Sequence, residues 1–560
     1  MSNVTFFWAE LKRRRVIRVA AAYAAVGIAV GSAAELFLDN LGAPAWLLPT
    51  VLFLIILGLP VALVLAWAYE RTPEGVVRDA GAAAVDEASG SASVTTTESA
   101  HRADPKAVAV LPFANMSDDA ENEFFADGVA EDILMRLSQV AELHVISRTS
   151  AMVYKGTRKP ISEIGRELGV GSILEGSVRR AGGRVRVVAQ LIETTTDRHL
   201  WAETFDRDLA DIFAVQSEIA EQIAKALHAR LAPEQLSRFR RGPTLNLKAY
   251  ELFLRGRSAA LALRTENVAE GIDHLEAALR LDPGFAEAAA MLAWVHGAAT
   301  YYATSEARQG FQRALELAEQ ALQMNPELPR ALTARGFAKY QLYDWQAAEK
   351  DLRRAIELDP NSSDSQMMLG HFLILSSRFS EAAVVLDTAR TLAPQEPLPS
   401  MHYSIATFFS GKQEEGLRAI QAAIDINPDY YETPMVRGWF LVERGQFDEG
   451  LEALEAGVTL SDRHPYQVGF LAVALTLAGQ ESRARQLAEE IDVEHPQAGR
   501  TGPAFAAVVR GDLDQAAGEL ESLAEARHPL VLWITKVPWV DRILEGNARY
   551  RALKQRIWPG

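Results

Sequence analysis

The sequence contains no cysteine among its 560 residues. This absence excludes a disulfide framework, a thiol nucleophile, a thiolate zinc site and a cysteine-ligated iron–sulfur cluster. Basic residues are in the minority, with 57 Lys and Arg against 73 Asp and Glu, so the formal charge is −16. This balance argues against nucleic acid as a main partner, because neutralising phosphates needs a basic face.

Catalytic and cofactor motifs are missing as well. The eleven histidines form no HExxH motif and pair with no recognisable nucleophile. The glycines of GRELGVG, residues 165–171, have neither dinucleotide nor phosphate-loop spacing and are typical of a helix end. The acidic cluster between Ser117 and Asp127 lacks the ligand spacing of a calcium loop. The sequence therefore predicts no enzyme, no catalytic residue, no metal site, no cofactor and no small-molecule substrate.

Two apolar runs lie near the amino terminus. Residues 16–38 and 45–69 are predicted to cross a lipid bilayer as a hairpin over 16–70, since about 20 apolar helical residues span the bilayer core. Lys and Arg flank the hairpin and are absent from its loop, which places both ends, including the basic segment 1–15, in the cytoplasm. The main alternative is a cleaved signal peptide in the first run, which would place the rest outside the cytoplasm.

The next two regions differ in composition. Residues 71–105 are predicted to be a flexible linker, because residues 79–104 lack aromatics and have few large apolar side chains. Residues 106–232 alternate short apolar strands with amphipathic helices and include a hairpin that turns at Gly182 and Gly183. This pattern predicts a mixed α/β domain.

Four blocks of this α/β region are recognisable: AVLPFANMSDDAENEFFADGVAEDI, LHVISRTSAMVYKG, IGRELGVGSILEGSVRRAGGRVRVVAQLIE and HLWAETFDRDLADIFAVQ. In this order they resemble the TolB amino-terminal-like domain, which is related to the FlgO-type domain. The preceding FFWAELKRRRVIRVAAAYAAVG is similar to the membrane module that often accompanies it. The resemblance implies a non-catalytic binding or assembly module. Similar regions follow cyclase or winged-helix domains in other proteins, and we expect any such output to belong to a partner.

The remaining chain repeats itself. Pro360, Pro394, Pro428, Asp462 and Pro496 are each 34 residues apart, which is the tetratricopeptide period. Small residues recur where the two helices of each repeat would cross, at positions such as 336, 370, 404, 438 and 472. Tetratricopeptide-like repeats are therefore predicted over 245–530. One repeat carries about nine extra residues near 300–309. A capping helix is predicted over 531–560, because the end of a repeat stack needs a polar outer face.

The concave groove of the repeats is the predicted functional surface. Repeats of this type bind peptides with the first helix of each pair, and long methionines form adaptable apolar grooves. The candidate groove residues are Thr333, Phe337, Met367, His371, Met401, His402, Met435 and Trp439. The competing interpretation is that these side chains pack between neighbouring helices, because stacked repeats bury a continuous core.

These patterns together predict a fold and a function. The expected fold is a transmembrane hairpin, a mixed α/β TolB-N-like domain and an all-α tetratricopeptide superhelix. The expected function is a multi-pass protein of the bacterial inner membrane, with cytoplasmic soluble domains, that binds protein or peptide partners as a scaffold in signalling. Two alternatives remain: an envelope assembly protein that faces the periplasm, and a regulatory subunit for a nucleotide cyclase or transcriptional output carried by a partner.

Overall fold

The computed structural model describes residues 71–72, 75–76, 104–119, 122–231, 242–261, 265–303, 306–493 and 499–558. The chain divides into two compact units, residues 1–99 and 100–560. In the first unit, β1 (Arg71–Thr72) pairs antiparallel with β2 (Gly75–Val76). Among the described residues, no helix is both long enough and apolar enough to cross a bilayer. The predicted spans, 16–38 and 45–69, lie outside the described residues.

The second unit begins with a mixed sheet, which confirms the predicted α/β region. Its strands follow the order β5-β3-β6-β7-β8, and β4 pairs with β6. The β3–β5, β3–β6 and β4–β6 pairs are parallel, whereas β6–β7 and β7–β8 are antiparallel. The strand bounds are β3 (Asp104–Val110), β4 (Ala114–Asn115), β5 (His144–Val145), β6 (Val170–Ala181), β7 (Arg184–Glu193) and β8 (Arg198–Asp208).

Helices cover both faces of this sheet, which together with it form the sheet domain, residues 104–231. The helices are α1 (Glu123–Ser138), α2 (Arg148–Met152), α3 (Ile161–Leu168) and α4 (Ile212–Ala226). Side chains of β3 alternate between two cores, with Val108 and Val110 under α1 and α4, and Ala107 and Ala109 on the opposite side. The predicted hairpin is present: Ala181 pairs with Arg184, and the two glycines between them have positive φ, as a tight hairpin turn requires.

Eight helix pairs follow within the described residues and form the repeat stack, residues 247–525. Their bounds are α5 (Leu247–Leu261), α6 (Thr265–Leu281), α7 (Ala286–Ala303), α8 (Ala307–Met324), α9 (Pro329–Gln341), α10 (Trp345–Leu358), α11 (Ser363–Leu375), α12 (Phe379–Leu392), α13 (Pro397–Phe409), α14 (Gln413–Ile426), α15 (Glu432–Glu443), α16 (Phe447–Leu460), α17 (Pro465–Leu477), α18 (Glu481–Ile491), α19 (Thr501–Arg510) and α20 (Leu513–Glu525). Both α7 and α8 have 18 residues, whereas α9 has 13 and α10 has 14, so the inserted residues lengthen two helices.

The phase of the repeats follows from steric contacts at the helix crossings. A Cβ added to Gly370 would lie 2.3 Å from Leu386 Cγ, and one added to Gly438 would lie 2.6 Å from Leu454 Cγ. These distances are shorter than carbon–carbon contact, so only the smallest residues allow the two helices of a pair to approach this closely. The sequence pattern of small residues therefore reports a packing requirement.

Three short helices follow the repeat stack: α21 (Leu530–Ile534), α22 (Pro538–Leu544) and α23 (Ala548–Ile557). They lie in the range where the sequence suggested one capping helix, and Pro538 begins the second of them. Proline is favoured in the first turn of a helix and breaks the one before it, which accounts for the division. We refer to residues 528–558 as the C-terminal segment.

Candidate functional site

The first helices of successive pairs form a common face, which we call the groove. The eight side chains predicted to line it are all at most 7% exposed. Met367, Met401 and Met435 belong to the apolar core of the repeats. Thr333 donates to or accepts from Ser365 Oγ at 2.7 Å, across two neighbouring first helices. The other four candidates contact either the C-terminal segment or the tyrosine that is hydrogen-bonded to it.

Trp533 of α21 lies at the centre of this contact. Its indole stacks on the His371 ring, with centroids 5.1 Å apart and an interplanar angle of 16°. The His402 and Trp439 rings are 5.8 and 6.3 Å from it. The indole Nε1 donates to Tyr301 Oη at 2.9 Å, and the Tyr301 ring contacts the Phe337 ring at 6.0 Å. One tryptophan of the chain thus occupies the surface that the sequence predicts for a partner.

A second tryptophan holds the end of the C-terminal segment. The Trp558 and Trp345 ring centroids are 4.5 Å apart, and Trp345 Nε1 donates to the Ile557 carbonyl at 2.8 Å. Lys536 lies over the Trp558 ring at 4.2 Å and donates to Ser377 Oγ at 2.9 Å. Burial lowers the pKa of Lys536 to about 8, and the nearby Lys554 adds to this effect. The segment is therefore held at both ends by aromatic and cationic contacts.

An ion pair joins the rim of the groove to α22. Arg542 Nη1 and Nη2 contact the two carboxylate oxygens of Glu443 at 2.9 and 3.0 Å. The Arg542 side chain is 58% exposed, so water screens the pair and its contribution to stability is at most about 1 kcal/mol. Apolar burial in the groove outweighs this pair, because a fully buried large side chain contributes about 2–3 kcal/mol.

The groove buries neutral histidines. Burial lowers the pKa of His402 to about 4 and that of His371 well below its ordinary value, and charge repulsion from His402 lowers the pKa of His371 further. Burial also lowers the pKa of His528, at the start of the C-terminal segment, to about 4, with His464 adding repulsion. Tyr340 Oη lies 3.2 Å from His371 Nδ1. All three rings are therefore uncharged at neutral pH.

Several polar atoms between the groove and the C-terminal segment lack a hydrogen-bond partner in the described part of the chain. They are His371 Nε2, Trp439 Nε1, His528 Nε2 and Trp539 Nε1. A buried polar group without a partner costs about 1–3 kcal/mol. The apolar fit of the segment is good, whereas its polar fit to the groove is incomplete.

A second contact surface joins the sheet domain to the first repeats. Arg257 of α5 is buried and reaches α1, where its Nη1 lies 2.9 Å from Asp132 Oδ1 and its Nε 3.1 Å from Glu131 Oε2. Tyr250 Oη and Gln216 Nε2 donate to the other oxygen of Asp132. Two carboxylates facing a buried guanidinium raise the pKa of Arg257 despite its burial, so the guanidinium remains charged.

The sheet domain also contacts turns of the fourth and fifth helix pairs. Asn361 Nδ2 donates to the Ser138 carbonyl at 2.9 Å, and the Ser147 amide donates to the Leu392 carbonyl at 2.7 Å. Ser147 Oγ donates to Glu396 at 2.7 Å. These turns carry the Pro360 and Pro394 motifs of the repeat period, so the repeats and the sheet domain share one folded unit.

A cleft of about 220 Å³ lies between these two parts. Its wall includes Arg330, Glu287, Asp359 and Asp364 as well as the network around Arg257. Burial raises the pKa of Glu287 and of Asp359 to about 7, and burial likewise raises the pKa of Glu396 beside it to about 7. Acidic and basic side chains both line this cleft, which makes it a polar seam between two surfaces.

The acidic cluster and two arginines of the hairpin form ion pairs within the chain. Lys155 contacts Glu123 and Asp127 of the acidic cluster at 2.8 and 2.6 Å. Arg184 and Arg186 of the hairpin both bind Asp206. Among the residues that the structure describes, no group of His, Asp and Glu is arranged to hold a metal ion.

Comparison with known proteins supports the repeats. A family model described as tetratricopeptide repeat matches residues 303–369. The "Putative adenylate cyclase 3" of Rhizobium meliloti (strain 1021) is 48% identical over 186 residues, which is 33% of this chain and 32% of that protein. The chain therefore spans about a third of the length of this curated relative.

Several solved structures are similar to part of this chain. YrrB, described as a TPR protein with an unusual peptide-binding site, is 16% identical with a TM-score of 0.28 over 37% of this chain and 97% of its own. PilW, a type IV pilus biogenesis factor, is 16% identical with a TM-score of 0.31 over 35% of this chain and 92% of its own. The family match and the phase of the helix pairs together show that the chain carries tetratricopeptide repeats.

Sequence reasoning missed two sets of functional residues. The first is Trp533 and its neighbours, for which the uncharged run Leu530–Thr535 was an available signal, because an apolar helix needs a surface to cover it. The second is the network of Arg257, Asp132 and Tyr250. Asp132 is more than a hundred residues away from Tyr250 and Arg257, and the three follow no motif, so the sequence held no signal for the network.

Proposed function

We propose that this protein is a non-catalytic scaffold that binds protein partners through the groove of its tetratricopeptide repeats. The observation that carries the proposal is the contact of Trp533 with His371, His402 and Trp439. It supports the groove as a surface that accommodates an aromatic anchor, and buried aromatic anchors dominate the energetics of peptide recognition.

The proposed roles of the regions outside the repeats are as follows. Residues 16–70 anchor the protein in a bacterial inner membrane, residues 71–105 tether it, and the sheet domain is a TolB-N-like module in the cytoplasm. The ordered sequence blocks and the mixed sheet support the module, and the apolar runs support the anchor. The alternative is an arrangement in which the soluble domains face the periplasm. The side of the membrane on which these domains lie distinguishes the two arrangements.

The relative named as an adenylate cyclase suggests a link to nucleotide signalling. The two proteins are similar over 186 residues, about a third of each chain, so a segment similar to this chain occurs in a protein that carries this name. We propose that the present chain regulates such an output, carried by a partner. Purified full-length protein is expected to form no cyclic AMP from ATP with Mg²⁺ or Mn²⁺. Formation above a denatured control would refute the non-catalytic assignment.

Two experiments test the scaffold and its location. A photo-crosslinking amino acid at Tyr302, which is 53% exposed beside Tyr301, should capture a specific protein in the native host. The matched control is Val384, which is 71% exposed on α12. If the same proteins were crosslinked at both positions, partner binding at the groove would be contradicted.

Reporters fused at Asp104 and at the carboxyl end should be active only in their cytoplasmic form, and export of both would favour the periplasmic alternative.

A further inference from the structure

The C-terminal segment follows the last helix pair and lies in the groove. It is joined to α20 through Arg527, which has a φ of +59°, and His528. A residue with positive φ ends the preceding helix and turns the chain back. Because the segment comes after α20, it can leave the groove without breaking any of the eight helix pairs.

The C-terminal segment fits the groove well through apolar side chains and less well through polar groups. The Trp533 side chain is 8% exposed, and Trp539 packs edge-on against Phe470 at 5.6 Å. The indole Nε1 of Trp439 and the Nε2 of His371 have no partner in the described residues, and the rings that carry them lie beside the Trp533 ring. A ligand that kept the indole and added hydrogen-bond acceptors near Trp439 would satisfy groups that the segment leaves unpaired.

We propose that the C-terminal segment is an intramolecular occupant of the groove that a partner peptide displaces. The partner is a short apolar helix with a central tryptophan and a basic residue one turn later, like Leu530–Lys536, and with acceptor side chains flanking the tryptophan. The basic residue takes the place of Lys536 beside Ser377 Oγ. This inference rests on the proposed function, since it names the ligand of the same groove.

The test uses the full-length chain and exploits the absence of cysteine. S377C and K536C introduce the only two thiols, at side chains that are 2.9 Å apart at their ends, and a short bismaleimide joins them. The probe is a fluorescein-labelled peptide with the sequence of residues 528–545, measured by fluorescence anisotropy. The control peptide carries alanine in place of the tryptophan that corresponds to Trp533.

The expected result is binding to the unjoined chain and at least tenfold weaker binding once the thiols are joined. R542A removes the exposed ion pair to Glu443 without touching the apolar core, and it should strengthen peptide binding about twofold. W533A should strengthen it at least tenfold, provided that circular dichroism shows the helices intact. The tryptophan-free peptide should bind at least tenfold more weakly than the parent peptide.

Either of two results would overturn the inference. One is peptide binding of equal strength in the joined and unjoined chains, which would place the peptide elsewhere. The other is no binding to the unjoined chain or to R542A when both are folded, which would make the segment a permanent part of the repeat core. Failure of the proposed function is seen separately, as the absence of captured protein at Tyr302 in the host.

Discussion

Acidification from pH 7 to pH 5 should loosen the C-terminal segment while the sheet domain remains docked on the repeats. Two surfaces of the same folded unit bury titratable groups of opposite kind. The groove buries His371, His402 and His528 as neutral rings, whereas the seam between sheet domain and repeats buries carboxylates. One change of pH therefore acts on the two surfaces in opposite directions.

The histidine effect has a definite sign. A histidine with a pKa of about 4 in the closed state and about 6.5 in the open state binds more protons when open, so closure is lost as pH falls through this window. For His402 and His528 the loss between pH 7 and pH 5 is about 2 kcal/mol each. His371 and His402 face each other with ring centroids 5.1 Å apart. Tyr340 and Tyr301 also face His371, the Leu398 carbonyl faces His402, and His464 acts on His528.

The carboxylates act in the other direction. Glu287, Asp359 and Glu396 have pKa values of about 7 when buried, above their ordinary values near 4. The folded state binds more protons than the unfolded state between these values, so stability rises as pH falls from 7. Each contributes about 2 kcal/mol between pH 7 and pH 5. The histidines and the carboxylates act against each other, so the overall free energy of unfolding should change less than either set alone would change it.

A local measurement is therefore required. Hydrogen–deuterium exchange, corrected for the intrinsic pH dependence, should show loss of protection in residues 528–545 at pH 5 and unchanged protection in residues 138–147 of the seam. H402N keeps a donor for the Leu398 carbonyl and removes the titrating ring, so it should retain more protection at pH 5 than the wild-type chain. Equal protection of residues 528–545 at both pH values, or earlier opening of the seam, would refute this reasoning.

Three further substitutions test the packing. R257M leaves Glu131 and Asp132 buried without their guanidinium and should cost about 3–5 kcal/mol in urea unfolding, whereas R280A, at a residue that is 68% exposed, should cost less than about 0.5 kcal/mol. G370A forces a Cβ against Leu386 and should lower stability by about 1–3 kcal/mol, while G546A, with open space around it, should not; equal effects would contradict the crossing geometry. W345F removes the hydrogen bond to the Ile557 carbonyl and should speed amide exchange in residues 548–557 with little change in α11, and unchanged exchange there would exclude Trp345 as an anchor of the segment.

The predictable part of this fold depends on short-range rules. The crossing positions of the repeats must be small because helices approach closely there, so Gly336, Gly370 and Gly438 reveal the phase of the stack. The hairpin turn needs positive φ at Gly182 and Gly183, which identifies both flanking strands. The contacts between sheet domain and repeats could not be inferred in this way. Asp132 and Arg257 meet because two surfaces dock, and no local pattern encodes which carboxylate faces which arginine.

The groove was only partly predictable from the sequence. Periodicity selected His371, His402 and Trp439 because the face of each first helix recurs every 34 residues, and the structure brings these three side chains together. What covers them is a separate question, because an apolar face is stabilised by any apolar partner, whether it belongs to the same chain or to another. An intramolecular occupant needs only to outcompete ligands at their free concentration, and its effective concentration is on the order of millimolar. A partner must therefore gain from contacts that the segment does not make, and Trp439 Nε1 and His371 Nε2, which lack a hydrogen-bond partner among the described residues, are the groups that offer them.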